Sequence, residues 1–415
     1  MRGRVEPNRP KTARAMSRLS LPDLHGQLVD QANLLLVQDL DGVAMPLVRD
    51  PLTRRLDPGY VRAVAAMGDR FRVLTNGEHA GRLGVNRLVE RAFGPQVDPA
   101  AEGLYLPGLA AGGVQLQNNQ GRISHPGVSD AELAFLAEVP TRLAYGLRQI
   151  LSTLLPQLES DTQHALIDRA VLDNRVSPTL NINVLIAHLG GDAARLQALQ
   201  LQCHELLQRL LDEAQQQGMA GSFFLHLAPN LGSDGVAERL KPARDDQIGT
   251  TDFQFMLQGA VKEAGLLVLI NQHIQARTGE APLGDAFNAR TAPQGEQALL
   301  DLCCRAIPRA LMPTLVGIGD TITSEPSADG EGWQRGGSDR GFLSLVQQIG
   351  QHHDLPAHVV LVDSSAGELD RPSHSDPLLR GLTDPDDPLK ITALVPGGPR
   401  QYCHWFEQLS QAVAA

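Results

Sequence analysis

The sequence predicts an α/β protein, with a core built on a central parallel sheet and an inserted mixed α/β unit. Three observations carry that reading. Short β-prone apolar runs at 34–37, 71–74, 315–318 and 358–362 each end at a carboxylate or a hydroxyl residue, the pattern of buried parallel strands whose carboxyl ends face a ligand site. From Ser129 onward the texture changes to long amphipathic helical patterns. At 415 residues the chain also exceeds one ordinary domain, so a second unit is expected.

Residues 1–20 read as a disordered basic tail: Arg2, Arg4, Arg9, Lys11, Arg14 and Arg18 stand among Pro7 and Pro10, with no apolar stretch. A short helix is expected over about 20–32. The strand Leu34-Leu35-Leu36-Val37 follows and stops at Asp39-Leu40-Asp41-Gly42. Asp57-Pro58 opens a helix, with an acid at the cap and proline at the first helical position. The strand Phe71-Arg72-Val73-Leu74 ends in Thr75-Asn76-Gly77, residues 103–106 read as β-prone, and Asn118-Asn119-Gln120-Gly121 reads as a hairpin turn.

The inserted unit is expected over 125–250, leaving 21–124 and 251–415 as the core. Its first helix opens on the capping box Ser129-x-x-Glu132, and another opens at Asp192 and stops by Gly218. Leu180, Ile182 and Val184 alternate with Asn181 and Asn183, and a second alternation runs through Phe223, Leu225 and Leu227, so both are read as strands. On these strands Asn181, Asn183 and His226 are candidates to face a sugar, although a solvated sheet face is the preferred reading for each one separately. After Gly249 a helical stretch through Phe255, Met256, Val261, Leu266 and Leu267 is expected, carrying Lys262. The next strand, 315–318, ends at Gly319-Asp320. Residues 324–337 read as a loop, and Asp339 precedes a helix that starts near Phe342.

These residue types suit one chemistry. Two acids two positions apart at a strand end divide the labour of phosphate-ester cleavage: Asp39 attacks phosphorus, and Asp41 protonates the leaving alcohol and then activates water. Alone, the same four residues also suit a solvated turn. Thr75, with Asn76 beside it, offers a hydroxyl and N–H groups to a phosphate oxygen. Lysine is rare here, at Lys11, Lys241, Lys262 and Lys390 among 36 basic residues, so Lys262 is a candidate point charge between nucleophile and phosphate. Asp39 with Asp320 gives the oxygen-only donor set that Mg²⁺ prefers. Asp339 either caps its helix or braces the metal's surroundings.

Asp39-x-Asp41-Gly42-Val43, Thr75-Asn76-Gly77, Lys262 beyond a long insertion, and Gly319-Asp320 occur in the order of the four motifs of the haloacid dehalogenase-like phosphatases, which the chain resembles. The longer segments 36–43, 73–79, 102–115, 249–257 and 336–340 resemble the glucosylglycerol-phosphate phosphatase family within that superfamily, over about 28–405. The resemblance implies a Rossmann-like core with a cap inserted between the second and third motifs, which selects the substrate. It implies Asp39 as nucleophile and Mg²⁺ ligand, Asp41 as general acid/base with its main-chain carbonyl on the metal, Thr75 and Asn76 at the phosphate, Lys262 as charge clamp, and Asp320 as second metal carboxylate. The superfamily commonly places a further acid four residues after the Asp320 position. Ser324 stands there, and Asp339 is the candidate replacement. The implied reaction is Mg²⁺-dependent dephosphorylation of glucosylglycerol 3-phosphate in compatible-solute synthesis for salt acclimation, with the synthase that supplies the substrate as a possible partner.

Composition narrows the alternatives. A net charge of −11 argues against a nucleic-acid surface, and no run approaches the roughly 20 apolar residues needed to cross a bilayer. Four cysteines without C-x-x-C spacing fit a reduced, cytoplasmic protein. The rival readings are a sucrose- or trehalose-phosphate phosphatase and a non-catalytic sugar-phosphate-binding module on the same fold. A glycosyltransferase using D-x-D would leave Lys262 and Asp320 without tasks.

Overall fold

The structure, a computed structural model, describes residues 18–233, 237–244, 247–327 and 331–414. The first part comprises α1 (Leu21–Val29), β1 (Leu34–Gln38), α2 (Pro58–Met67), β2 (Phe71–Leu74), α3 (Val85–Phe93), β3 (Gly108–Ala110), β4 (Gln115–Gln117) and β5 (Ile123–Ser124). A second group follows: α4 (Asp130–Leu154), α5 (Ser160–Ala170), β6 (Val171–Leu172), β7 (Thr179–Asn181), α6 (Ala193–Gln216), β8 (Phe223–Ala228), β9 (Asn230–Ser233), β10 (Glu238–Leu240) and β11 (Asp252–Leu257). The chain then returns through α7 (Lys262–Thr278), α8 (Glu296–Ala306), β12 (Thr314–Gly319), β13 (Thr323–Pro326), β14 (Trp333–Gly336), α9 (Arg340–His353), β15 (Ala357–Val362), β16 (Ala393–Val395) and α10 (Gly398–Ala414).

Eight strands form the central sheet in the order β16-β15-β12-β1-β2-β3-β4-β5. The first six are parallel and only the β3-β4-β5 meander is antiparallel. Strand β1 is buried throughout, and its period of two splits it between two cores. Leu34 and Leu36 pack with helices α1, α2 and α10, whereas Leu35 and Val37 join the cluster that includes α7 and α9. Each such leucine stabilises the fold by about 1.5–3 kcal/mol relative to an exposed one. From β1 the chain winds outward through β2 and β3, then resumes on its other side with β12, β15 and β16. The switch point therefore falls between β1 and β12, where ligands bind in open α/β sheets.

The second sheet has the order β6-β7-β11-β8. Alternation gives it two unlike faces. Phe253, Phe255, Leu180, Leu225 and Leu227 pack beneath α4 and α6, with Phe135, Phe223 and Phe255 in mutual ring contact. Asp252, Gln254, Thr179, Asn181 and His226 occupy the other face.

Several expectations need correction. Residues 252–257 are strand β11 rather than helix, and they pair with β7 and β8, so the second sheet extends past the expected boundary at 250. The helix begins only at Lys262, after Gly259 turns the chain at φ +82°. Strand β7 stops at Asn181 because its side chain accepts the Asn183 N–H at 3.0 Å, and a 3₁₀ segment follows. The expected strand at 103–106 is a turn through Gly103 at φ +66°, and pairing starts at Gly108. The expected loop 324–337 contains the β13–β14 hairpin. The tail reading over 1–17 lies outside the described residues. Residues 18–20 are attached instead: the Leu19 N–H donates to Thr392 O at 2.8 Å, and Ser20 caps α1.

Candidate active site

The ends of strands β1, β2 and β12 and the starts of helices α7 and α9 meet at the carboxyl edge of the central sheet. Strand β1 delivers Asp39, and adjacent β12 delivers Asp320. Their registration, Gln38 beside Ile318, brings the two side chains to one place. Gln38 is fixed beneath them by Tyr60 at 2.7 Å and Tyr402 at 2.5 Å. Gly42, at φ +81°, allows the approach, since a methyl there would overlap the Asp320 carboxylate.

Lys262 is the first residue of α7, at the end of the helix dipole that disfavours a cation. Two carboxylates offset this: Nζ lies 3.0 Å from Asp39 Oδ2 and 2.6 Å from Asp339 Oδ1. The other Asp339 oxygen accepts the N–H groups of Asp320 and Thr321, each at 2.9 Å. Asp339 stands at the start of α9 yet makes no side-chain cap there, so the capping expectation gives way to a brace between Lys262 and the Asp320 backbone. Ser324 turns away into the β13–β14 hairpin and donates to Asp384.

Oxygens of Asp39, Asp320 and Asp339 lie within 4.8 Å of one another. Asp39 Oδ1 and both Asp320 oxygens are buried without a hydrogen bond; the Ser364 hydroxyl faces Asp320 outside hydrogen-bond geometry. Orphaned carboxylate oxygens of this kind are costly. The set is hard, anionic and mutually close, which fits Mg²⁺. Burial raises the Asp39 carboxyl to about 7, against the pull of Lys262. For Asp320, burial and then the Asp339 and Asp39 charges raise it well above the ordinary range. Lys262 is pushed down by burial, but Asp339 and Asp39 outweigh that and leave it above its ordinary value.

Because these folded-state carboxyl values are raised, the folded chain binds protons that the unfolded chain releases. The resulting stability is complete below about 3.8 and is lost as pH rises through about 7. In EDTA the melting-temperature gain of Asp39→Asn over wild type is therefore expected to be larger at pH 8 than at pH 6, and an equal or smaller gain at pH 8 would contradict the geometry.

Asp41 faces the same cleft, with Arg54 Nη1 at 3.1 Å. Thr75 Oγ1 accepts the Gly77 N–H at 3.3 Å, so its own hydrogen remains available. The Asn76 amide meets His226 Nε2 at 2.8 Å, and His226 Nδ1 meets Glu238 at 2.7 Å. Burial lowers the His226 pKa, but the Glu238 charge outweighs it. Asp39, Asp41, Arg54, Thr75 and Asn76 line a cleft of about 150 Å³ together with Asn174, Thr179, Asn181, Asp252 and Gln254 of the second unit. A wider cleft of about 590 Å³ beside α2 and the β4–β5 hairpin holds none of these carboxylates.

All seven sequence-derived positions thus cluster. Of the proposed sugar-facing residues, Asn181 lines the cleft, His226 is buried against Asn76, and Asn183 is buried outside the cleft lining. The sequence reading missed Arg54, Asp252, Gln254 and Arg371, all cleft residues. Alternation of Asp252 and Gln254 with Phe253 and Phe255 was the available signal for two of them. It also missed Glu78, whose carboxylate accepts the N–H groups of Arg175, Val176 and Ser177 at 2.7–3.0 Å, tying the Thr75 turn to the second unit.

A parallel sheet ending in paired aspartates, a hydroxyl and a buried lysine around one cleft defines a phosphatase of the haloacid dehalogenase-like class. The family model for glucosylglycerol-phosphate phosphatase matches residues 33–410. The glucosylglycerol-phosphate phosphatase of Synechocystis sp. is 46% identical over 397 residues, covering 92% of this chain and 94% of that protein. The chain belongs to the glucosylglycerol-phosphate phosphatase family. Among solved structures, the C-terminal domain of the C. albicans trehalose-6-phosphate phosphatase aligns over 96% of this chain and 99% of its own, at 11% identity and a TM-score of 0.46. The Aspergillus fumigatus trehalose-6-phosphate phosphatase aligns over 95% and 98%, at 11% identity and a TM-score of 0.40. No helix among the described residues is long and apolar enough to cross a membrane.

Proposed function

We propose that the chain hydrolyses glucosylglycerol 3-phosphate to glucosylglycerol and phosphate through an aspartyl-phosphate on Asp39. The carrying observation is the open Asp39 Oδ1, buried and unpaired beside a lysine that already holds Oδ2. Asp39 attacks phosphorus as the ester P–O bond breaks, while Asp41, oriented by Arg54, gives its proton to the departing alcohol. Asp41 then takes a proton from water, which attacks the phosphoaspartate and frees Asp39. Thr75 donates its hydroxyl to a phosphoryl oxygen. Asn76, tied to His226 and Glu238, holds the Thr75 turn in place.

Asp39, Asp320 and the Asp41 main-chain carbonyl would hold Mg²⁺, which supplies positive charge against the phosphoryl oxygens. Both Asp339 oxygens are engaged by Lys262 and backbone N–H groups, which favours a positioning role over direct ligation. The 125–257 unit acts as the cap, and Asn181, Asp252 and Gln254 read the sugar hydroxyls. In this reading the enzyme works in the cytoplasm on the product of a glucosylglycerol-phosphate synthase, in compatible-solute synthesis under salt stress.

The test is a panel of glucosylglycerol 3-phosphate, sucrose phosphate and trehalose phosphate, scored by kcat/KM with Mg²⁺ and again with EDTA. The expected result is Mg²⁺-dependent preference for the first by at least about 10-fold, since a few differential sugar contacts are worth about 1–3 kcal/mol. Equal or reversed preference would transfer the assignment to the disaccharide phosphates. Absence of phosphate release would leave a binding module.

A further inference from the structure

Arg371 stands in the same cleft as Asp39, Asp41 and Thr75, and the mechanism above gives it no task. It sits in the segment between β15 and β16. Its Nε is buried without a hydrogen-bond partner, and Nη1 donates to the Asp370 carbonyl at 3.1 Å. Among the described residues it forms no ion pair, although the Asp320 and Asp252 charges act on it through space. Arg371 as a whole is half-buried, and a guanidinium whose Nε is sealed from solvent without an acceptor costs free energy unless a ligand supplies one.

The segment carrying Arg371 is fastened on both sides. Asp363, at the end of β15, accepts the Ser365 N–H at 2.9 Å through one oxygen and the His374 N–H at 2.9 Å through the other. The Glu368 N–H donates to Leu47 O at 2.8 Å, and its carboxylate accepts the Arg49 N–H at 2.9 Å. Leu47 and Arg49 follow Asp41 closely in sequence, so the guanidinium is held in register with the nucleophile's own loop.

Charge decides what it binds. Three carboxylates and one ammonium at Asp39, Asp320, Asp339 and Lys262 carry a net −2 when ionised, which a bound Mg²⁺ would bring only to zero, with no surplus for a dianion. Lys262 is already shared between two of those carboxylates, which leaves it little charge for a dianionic phosphoryl group. Sugar hydroxyls are neutral, and Asn181, Asp252 and Gln254 are already their proposed partners. A guanidinium's planar fork matches two phosphoryl oxygens.

We propose that Arg371 is a phosphoryl-binding residue, taking oxygens of the group that Asp39 attacks and retaining the released phosphate. The inference rests on the reading of the cleft as a phosphatase site. It is tested with the full chain in Mg²⁺ by calorimetric titration with inorganic phosphate, comparing wild type with Arg371→Met and Arg371→Lys. Arg371→Met is expected to weaken phosphate binding about 10- to 150-fold, the worth of a charged hydrogen bond. Arg371→Lys restores only part, because a point charge lacks the fork.

Mg²⁺ affinity without phosphate and inhibition by glucosylglycerol stay at wild-type values. Phosphate binding unchanged in Arg371→Met overturns the proposal. So does a matching loss of Mg²⁺ affinity, which would make Arg371 a support for Asp320, or a loss confined to glucosylglycerol inhibition, which would make it a sugar contact. Should Arg371→Met fail to fold, the lysine variant carries the test: several-fold weaker phosphate binding supports the role and wild-type binding overturns it. Wild-type hydrolysis with unaltered phosphate affinity in the variants sinks this inference alone. A wild-type chain that binds phosphate without hydrolysing any sugar phosphate sinks the functional reading instead.

Discussion

Asp39→Asn is expected to lower turnover by about four orders of magnitude or more, since an amide cannot carry the phosphoryl group and the covalent route is closed. The fold is expected to survive. Asp39 is a burdened carboxylate, raised to about 7 chiefly by burial, with Asp339 and Asp41 adding like-charge repulsion. A neutral amide of the same shape removes that repulsion, and Lys262 keeps its shorter contact to Asp339, at 2.6 Å. Thermal denaturation in EDTA near pH 8 should therefore show a melting temperature at or above that of wild type. Near-normal turnover in a well-folded variant would remove Asp39 from the chemistry.

Lys262→Met has the opposite signature, with activity and stability falling together. Lys262 is 3% exposed and separates two carboxylates that lie within 4.8 Å of a third. Methionine fills much of the volume but leaves Asp39 and Asp339 without the cation they share, beside the unpaired Asp320. Breaking a buried pair from one side typically costs about 3–5 kcal/mol. The loss should be largest above pH 7 in EDTA, where Asp39 must ionise, and smaller at pH 6, where a proton on Asp39 replaces part of the missing charge. Turnover should fall by about 10²–10³, as for other fixed donors at a developing charge. Lys262→Arg should not preserve function, because a guanidinium needs more room than this site provides. Chemical denaturation at the two pH values, paired with kcat, separates these expectations from a simple packing defect.

The chemistry of this chain was more legible than its architecture. Asp39, Thr75 and Asp320 were readable because each closes an apolar run, and the carboxyl edge of a parallel sheet collects such residues whatever lies between them. Lys262 stood out through the scarcity of lysine, although its helix start was obscured. Residues 252–257 were misread because Phe255 and Met256 also fit a helical period with Val261, and only the pairing of Asp252 with Asn181 and Ala228 decides for strand. Arg371 and Arg54 carry no spacing signal, since each acts from an irregular segment placed by distant backbone contacts. Asp339 was found by sequence, but its task was not: whether a carboxylate caps its own helix or braces a lysine 77 positions away depends on tertiary geometry.

The most direct measurement on Asp39 is the fate of the phosphoryl group in a rapid acid-quench experiment with ³²P-labelled p-nitrophenyl phosphate, whose leaving group needs no proton. In Asp41→Asn, which cannot activate water, label should accumulate on the protein and map to the peptide containing Asp39; in Asp39→Asn no label should appear. Burst release of nitrophenol with no protein-bound phosphate, or label on a peptide elsewhere in the chain, would contradict the account.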